Sequence, residues 1–134
     1  ADGSLVYQLA KNSELQVIGL ESDKKLIDLS RKQLNSVKLY GSRAAIHQSH
    51  GDKLSYTDYM FNLVISAKVS EELKRVLHPG DGLIISPQGK VLYKKPKLSK
   101  SGEWTHLYGN AANTLSSQEG NVTNSMILQW FGEP

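Results

Sequence analysis

A chain of 134 residues, 39% hydrophobic and 22% charged, suits an ordinary globular domain large enough to bury a core. The net charge of +3 is small, and much of it gathers in "KVLYKKPKLSK" (90–100), which excludes the broad basic face that nucleic acid needs. Cysteine is absent, which excludes disulfides, thiolate zinc sites and a cysteine nucleophile, and no apolar run reaches the length of a membrane span.

The opening residues, "ADGSLVYQLA", carry no signal peptide and begin abruptly inside what reads as structure, as in a piece of a longer protein. Leu5, Val6, Leu9 and Ala10 share one helical face. "LQVIGL" (15–20) is short, apolar and β-branched, the pattern of a buried strand. Ser22 or Asp23 can cap the following helix, whose Leu26, Ile27 and Leu34 fall on one side. "AAIHQ" (44–48) and "FNLVIS" (61–66) read as strands. A helix starts at Ser70, turns Leu73, Val76 and Leu77 inward and ends at Pro79-Gly80, before a strand in "GLIISP" (82–87).

Helices alternating with continuously apolar strands predict an α/β fold, a Rossmann-like parallel sheet with helices on both faces. Such a sheet binds ligands beyond the carboxyl ends of its strands. Glu21, Asp52 and Ser66 stand at those ends. After residue 87 the helical period is lost, so 88–134 reads as an extended C-terminal tail in which the lysines of 90–100 form a solvated linker and "MILQWF" (126–131) a short strand.

Taken together, "DG" (2–3), "VIGLES" (17–22), "HGDKL" (50–54), "FNLVIS" (61–66) and "LKRVLHPGDGLIIS" (73–86) resemble the class I S-adenosylmethionine-dependent methyltransferases. The resemblance covers residues 1–87, and its most specific piece is R-V-L-x-P-G-x-G-L before an apolar strand. It implies that Asp2 and Gly3 end a glycine-rich turn beside the cofactor's methionine part, with the strand before that turn and most of the turn itself missing. It implies that Glu21 accepts hydrogen bonds from the ribose hydroxyls and that Asp52 meets the adenine amino group. Ser22, Lys53 and Ser66 complete the implied cofactor-binding set. A carboxylate suits the ribose because it offers several acceptor sites and no donor. Asn62 stands where the family often has Asp, and Ser66-Ala67-Lys68 replaces any N-P-P-Y-like catalytic segment. The antiparallel strands that the family places after residue 87 are not recognisable.

"GEWTHLYGNAANT" and "LQWFGEP" are similar to the entry of a pyrroloquinoline-quinone-type β-propeller of large bacterial multidomain proteins. This resemblance implies 1–87 as an incomplete methyltransferase-like domain, 88–134 as a linker and the start of a propeller-like segment, and the rest of a larger chain as partner. Two functions follow: an S-adenosylmethionine-binding domain with an unknown methyl acceptor, or a degenerate, non-catalytic structural or interaction module. The first implies the cytoplasm, the second the periplasm or export. A dinucleotide-binding oxidoreductase shares the acidic strand end but not "RVLHPGDGLIIS". His47 and His50 lack an acidic third ligand for a metal, His78 suits a helix C-terminus, and no G-x-S-x-G elbow occurs. Trp104, His106, Tyr108, Trp130 and Phe131 are expected to anchor the tail, and Asn121-Val122-Thr123 fits a glycosylation sequon.

Overall fold

The computed structural model describes residues 3–49, 51, 53–102, 107, 111–115 and 119–121. The chain divides into two units, Ala1–Ser55 and Tyr56–Pro134.

In the first unit, helix α1 (Ser4–Asn12) leads to strand β1 (Val17–Glu21), helix α2 (Lys24–Ser36) and strand β2 (Ala44–Gln48). β1 and β2 are parallel, in register from Val17↔Ala44 to Glu21↔Gln48. Of the two candidate caps, Asp23 is the one that acts. Its backbone is extended and its carboxylate accepts from the Lys25 amide at 2.8 Å, satisfying a donor the helix cannot. Ala10 of α1, Ile27 and Leu34 of α2, and Ala44 and Ile46 of β2 form one buried cluster. Full burial of each larger side chain stabilises by roughly 1.5–3 kcal/mol. Ala44 and Ile46, two residues apart, point to the same face. Both helices therefore cover one face of the β1–β2 pair.

Alternation puts Val17, Gly19 and Glu21 on that covered face. A Cβ on Gly19 would lie 2.7 Å from Val6 Cγ2 and 2.8 Å from Ile46 Cδ1, so the close approach of α1 and β2 explains the glycine. Leu20, on the opposite face, is 42% exposed, and no residue of the strand expected to be buried is more than partly so. Leu5 is also exposed, because the inward face of α1 runs through Val6, Tyr7 and Ala10 instead. Arg31 reaches back from α2 and donates twice to the Ile46 carbonyl, from Nε at 3.1 Å and Nη2 at 2.7 Å.

The second unit contains β3 (Leu63–Ile65), α3 (Glu71–Val76), β4 (Leu83–Ile85) and β5 (Val91–Lys94). β3 and β4 are parallel, but β5 runs antiparallel to β4, so the sheet is mixed rather than parallel. The strand lies where a solvated linker was expected, and it forms a hairpin with β4. Pro87 at the second turn position, Gly89 at φ 84° and the Gly89 amide on the Ser86 carbonyl at 2.9 Å make that hairpin.

Ser70 caps α3 as expected, accepting from the Leu73 amide at 3.2 Å. The helix stops at Val76, ahead of the Pro79-Gly80 stop read from the sequence, because Leu77 is already extended and bridges to Phe61. Val76, Leu77 and Ile84 are completely buried. Arg75 donates to Glu72 at 2.7 and 2.9 Å, to Asp58 at 2.6 Å and to the Tyr56 carbonyl at 2.9 Å, tying the loop before β3 to the helix. Lys95 donates to the carbonyls of Lys74 and Arg75 and lies 4.3 Å over the Tyr59 ring, so it closes the end of α3 rather than standing in solvent. In the tail, the Glu119 carboxylate accepts from the amides of Gly102 at 2.9 Å and Asn121 at 2.6 Å, which hold it below the usual carboxylate range. Trp104, His106, Tyr108, Trp130, Phe131, the strand expected at 126–131 and all of the sequon but Asn121 lie outside the described residues. Among the described residues no helix is long and apolar enough to cross a membrane.

Candidate functional site

The first unit carries Gly3, Glu21, Ser22 and Lys53, and the second carries Ser66; Asp2 and Asp52 lie outside the described residues. Glu21 is the last residue of β1, and its backbone carbonyl accepts from the Ser49 amide at 2.8 Å, beside the end of β2. Its side chain lies against the turn into α2. Oε1 accepts from the Ser22 amide at 2.8 Å, from the Asp23 amide at 3.1 Å and, more loosely, from the Ser22 hydroxyl at 3.4 Å.

The Asp23 and Ser22 amides that donate to it hold the Glu21 carboxyl below its ordinary value of 4.5. With a folded-state pKa depressed in this way, its contribution to stability is present above about 4.5 and is lost as the pH falls below that value. Glu21 is thus a fixed negative charge across the neutral range. Donors already aimed at Oε1 set the plane of the carboxylate at the mouth of the strand pair.

Gly3 is the N-cap of α1 with φ 77°, and its carbonyl accepts from the Tyr7 amide at 3.0 Å. A Cβ there would sit 2.7 Å from both Cβ and Oγ of Ser30, which is buried on α2. Packing and backbone conformation together therefore account for the glycine without any ligand. Gly3→Ala is expected to cost about 1–3 kcal/mol through left-handed strain and crowding, read as a lower urea midpoint. Lys53 is exposed beyond the end of β2.

Ser66 follows β3 in the second unit, with its amide on the Ile85 carbonyl at 2.9 Å and its hydroxyl accepting from the Lys68 amide at 3.2 Å. Ser86 occupies the matching position after β4, and its hydroxyl accepts from the Gln88 and Lys90 amides, each at 3.2 Å. Sequence reading passed over Ser86, although "LIIS" repeats the strand-then-serine pattern of "LVIS". No group of three His, Asp or Glu among the described residues is arranged to hold a metal ion.

The segment with the most specific resemblance, "RVLHPGDGL", works locally. Arg75 ties down the 56–58 loop, Leu77 fills the core, and His78 Nδ1 pairs with Asp81 Oδ1 at 2.6 Å across the turn. Gly80 has φ 93°, and a Cβ on Gly82 would lie 2.4 Å from the His78 carbonyl oxygen.

No protein-family model and no curated protein matches the chain. Among solved structures it is similar to the [4+2]-cyclase SpnF, with a TM-score of 0.54 and 20% identity over 63% of this chain. The match spans 34% of the cyclase chain, about a third of its length. At that identity the likeness is one of fold, an incomplete α/β arrangement consistent with a Rossmann-like sheet.

Proposed function

We propose that this chain carries the ribose-binding part of an S-adenosylmethionine site on a methyltransferase-like fold, within a larger protein. The observation that carries the reading is Glu21, an ionised carboxylate at the carboxyl end of β1, oriented by the Ser22 and Asp23 amides. A vicinal diol offers two donors, and a carboxylate fits it because it has acceptor sites on both oxygens and no proton to compete. Ser22, Lys53, Asp2, Asp52 and the backbone at Gly3 are the further residues proposed toward the cofactor. When bound, the cofactor supplies a sulfonium methyl group; the residues of this chain bind and orient it, and the methyl acceptor is unassigned.

The fold alone does not dictate methyl transfer. The similar structure is named as a cyclase, which makes the fold compatible with other chemistry. One observation favours a second reading, a non-catalytic module: Oε1 of Glu21 already serves its own turn. In that case the carboxylate is retained as a lock between β1 and α2.

Calorimetric titration with S-adenosylmethionine and S-adenosylhomocysteine separates the two. Saturable binding that weakens at least about tenfold in Glu21→Ala supports the cofactor site, since hydrogen bonds to a charged group contribute about 1.5–3 kcal/mol. A folded chain that takes up neither ligand leaves the module reading.

A further inference from the structure

The carboxyl ends of β3 and β4 lie side by side. Ile65 pairs with Ile85, so Ser66 and Ser86 are the first residues beyond neighbouring parallel strands, about 5 Å apart along the ladder direction. Both side chains are half-buried. Each hydroxyl oxygen is held in place by backbone amides, Ser66 by Lys68 and Ser86 by Gln88 and Lys90. A hydroxyl that accepts in this way still has its O–H proton to donate. Neither proton is directed to an acceptor among the described residues. The residues that supply the holding amides include Lys68 and Lys90, both exposed, and the mouth itself contains no carboxylate from 62 to 69 or from 82 to 90.

We propose that Ser66 and Ser86 present a pair of hydroxyl donors to the anionic group of a ligand, a carboxylate or a phosphate, with Lys68 and Lys90 contributing positive charge. The placement matches the general location of ligands beyond the carboxyl ends of parallel strands. The site belongs to the second unit alone and does not depend on the cofactor reading of Glu21.

The test is a titration of the whole chain with inorganic phosphate and, separately, with acetate, following the backbone amides of Ser66, Lys68, Ser86 and Lys90 by NMR. Saturable shifts of these amides with either ion, weakening as sodium chloride is added, are expected, and the better ion identifies the group. In Ser66→Ala/Ser86→Ala the affinity should fall at least about tenfold. Ser66→Thr/Ser86→Thr keeps both hydroxyls and should stay within about twofold, which separates donor loss from loss of the turns. Lys68→Gln/Lys90→Gln should weaken binding and flatten its salt dependence while leaving the serines untouched. Absence of saturable shifts with both ions overturns the proposal, as does binding that survives in the double alanine variant. Either failure leaves the S-adenosylhomocysteine titration unaffected, so the two readings fall separately.

Discussion

Leu77→Ala is expected to destabilise the second unit by about 2–5 kcal/mol, the range for truncating a buried leucine in a packed core. Leu77 has no exposed surface, and Val76 and Ile84 are equally buried. Its backbone cannot follow the lost side chain inward. Leu77 bridges to Phe61, and the next amide, His78, donates to the Phe61 carbonyl at 2.8 Å, so the cavity persists. Chemical unfolding followed by circular dichroism should show a lower midpoint with an unchanged slope. Leu77→Met, which conserves volume, should cost less than about 1.5 kcal/mol. Equal losses in both variants would show that shape, and not the cavity, governs the position.

Gly82→Ala should be nearly as damaging, and for a different reason. The added Cβ would lie 2.4 Å from the His78 carbonyl oxygen, 3.0 Å from the His78 nitrogen and 3.1 Å from Leu77 Cβ. Two of these neighbours are backbone and cannot rotate away. The Gly82 amide also donates to that same His78 carbonyl at 3.0 Å, so relief of the clash opens the turn that feeds β4. Overpacking of this kind costs about 1–3 kcal/mol, and the backbone neighbours put Gly82 at the upper end. Gly19→Ala is the useful contrast, since its contacts are the far ends of the Val6 and Ile46 side chains. The same unfolding experiment should rank Gly82→Ala as clearly worse than Gly19→Ala. The reverse order would contradict the close approach at the turn.

Residues that announce elements through local chemistry were legible in the sequence. Asp23 and Ser70 cap the helices as their side chains and spacing require, and the apolar runs of β1, β2, β3 and β4 fall where the pattern puts them. What escaped is set by tertiary contacts. The lysines of 90–100 read as solvated because nothing local shows that Lys95 will close α3, or that Lys74 will lie 5.1 Å over the Tyr93 ring. The turn in "SPQGK" was the available signal for β5, since Pro followed by Gly two residues later is hairpin chemistry. The inward face of α1 shifted from Leu5 to Tyr7 because the neighbour it packs against, and not helical periodicity alone, selects the stripe. Glu21 was legible as the acidic end of a strand. That its Oε1 accepts from the next two amides was not, because this depends on the backbone of the turn into α2.

The Glu21 carboxylate, already oriented by its own turn, is proposed to receive a ribose. The most direct measurement follows the Ser22 and Asp23 amide resonances while S-adenosylhomocysteine is added to the folded chain, since those amides share Oε1 with any incoming donor. Ribose binding there should give saturable shifts at both amides, lost in Glu21→Ala. Resonances that stay in place through the titration, or saturable shifts that persist in Glu21→Ala, would contradict it and leave Glu21 as a lock between β1 and α2.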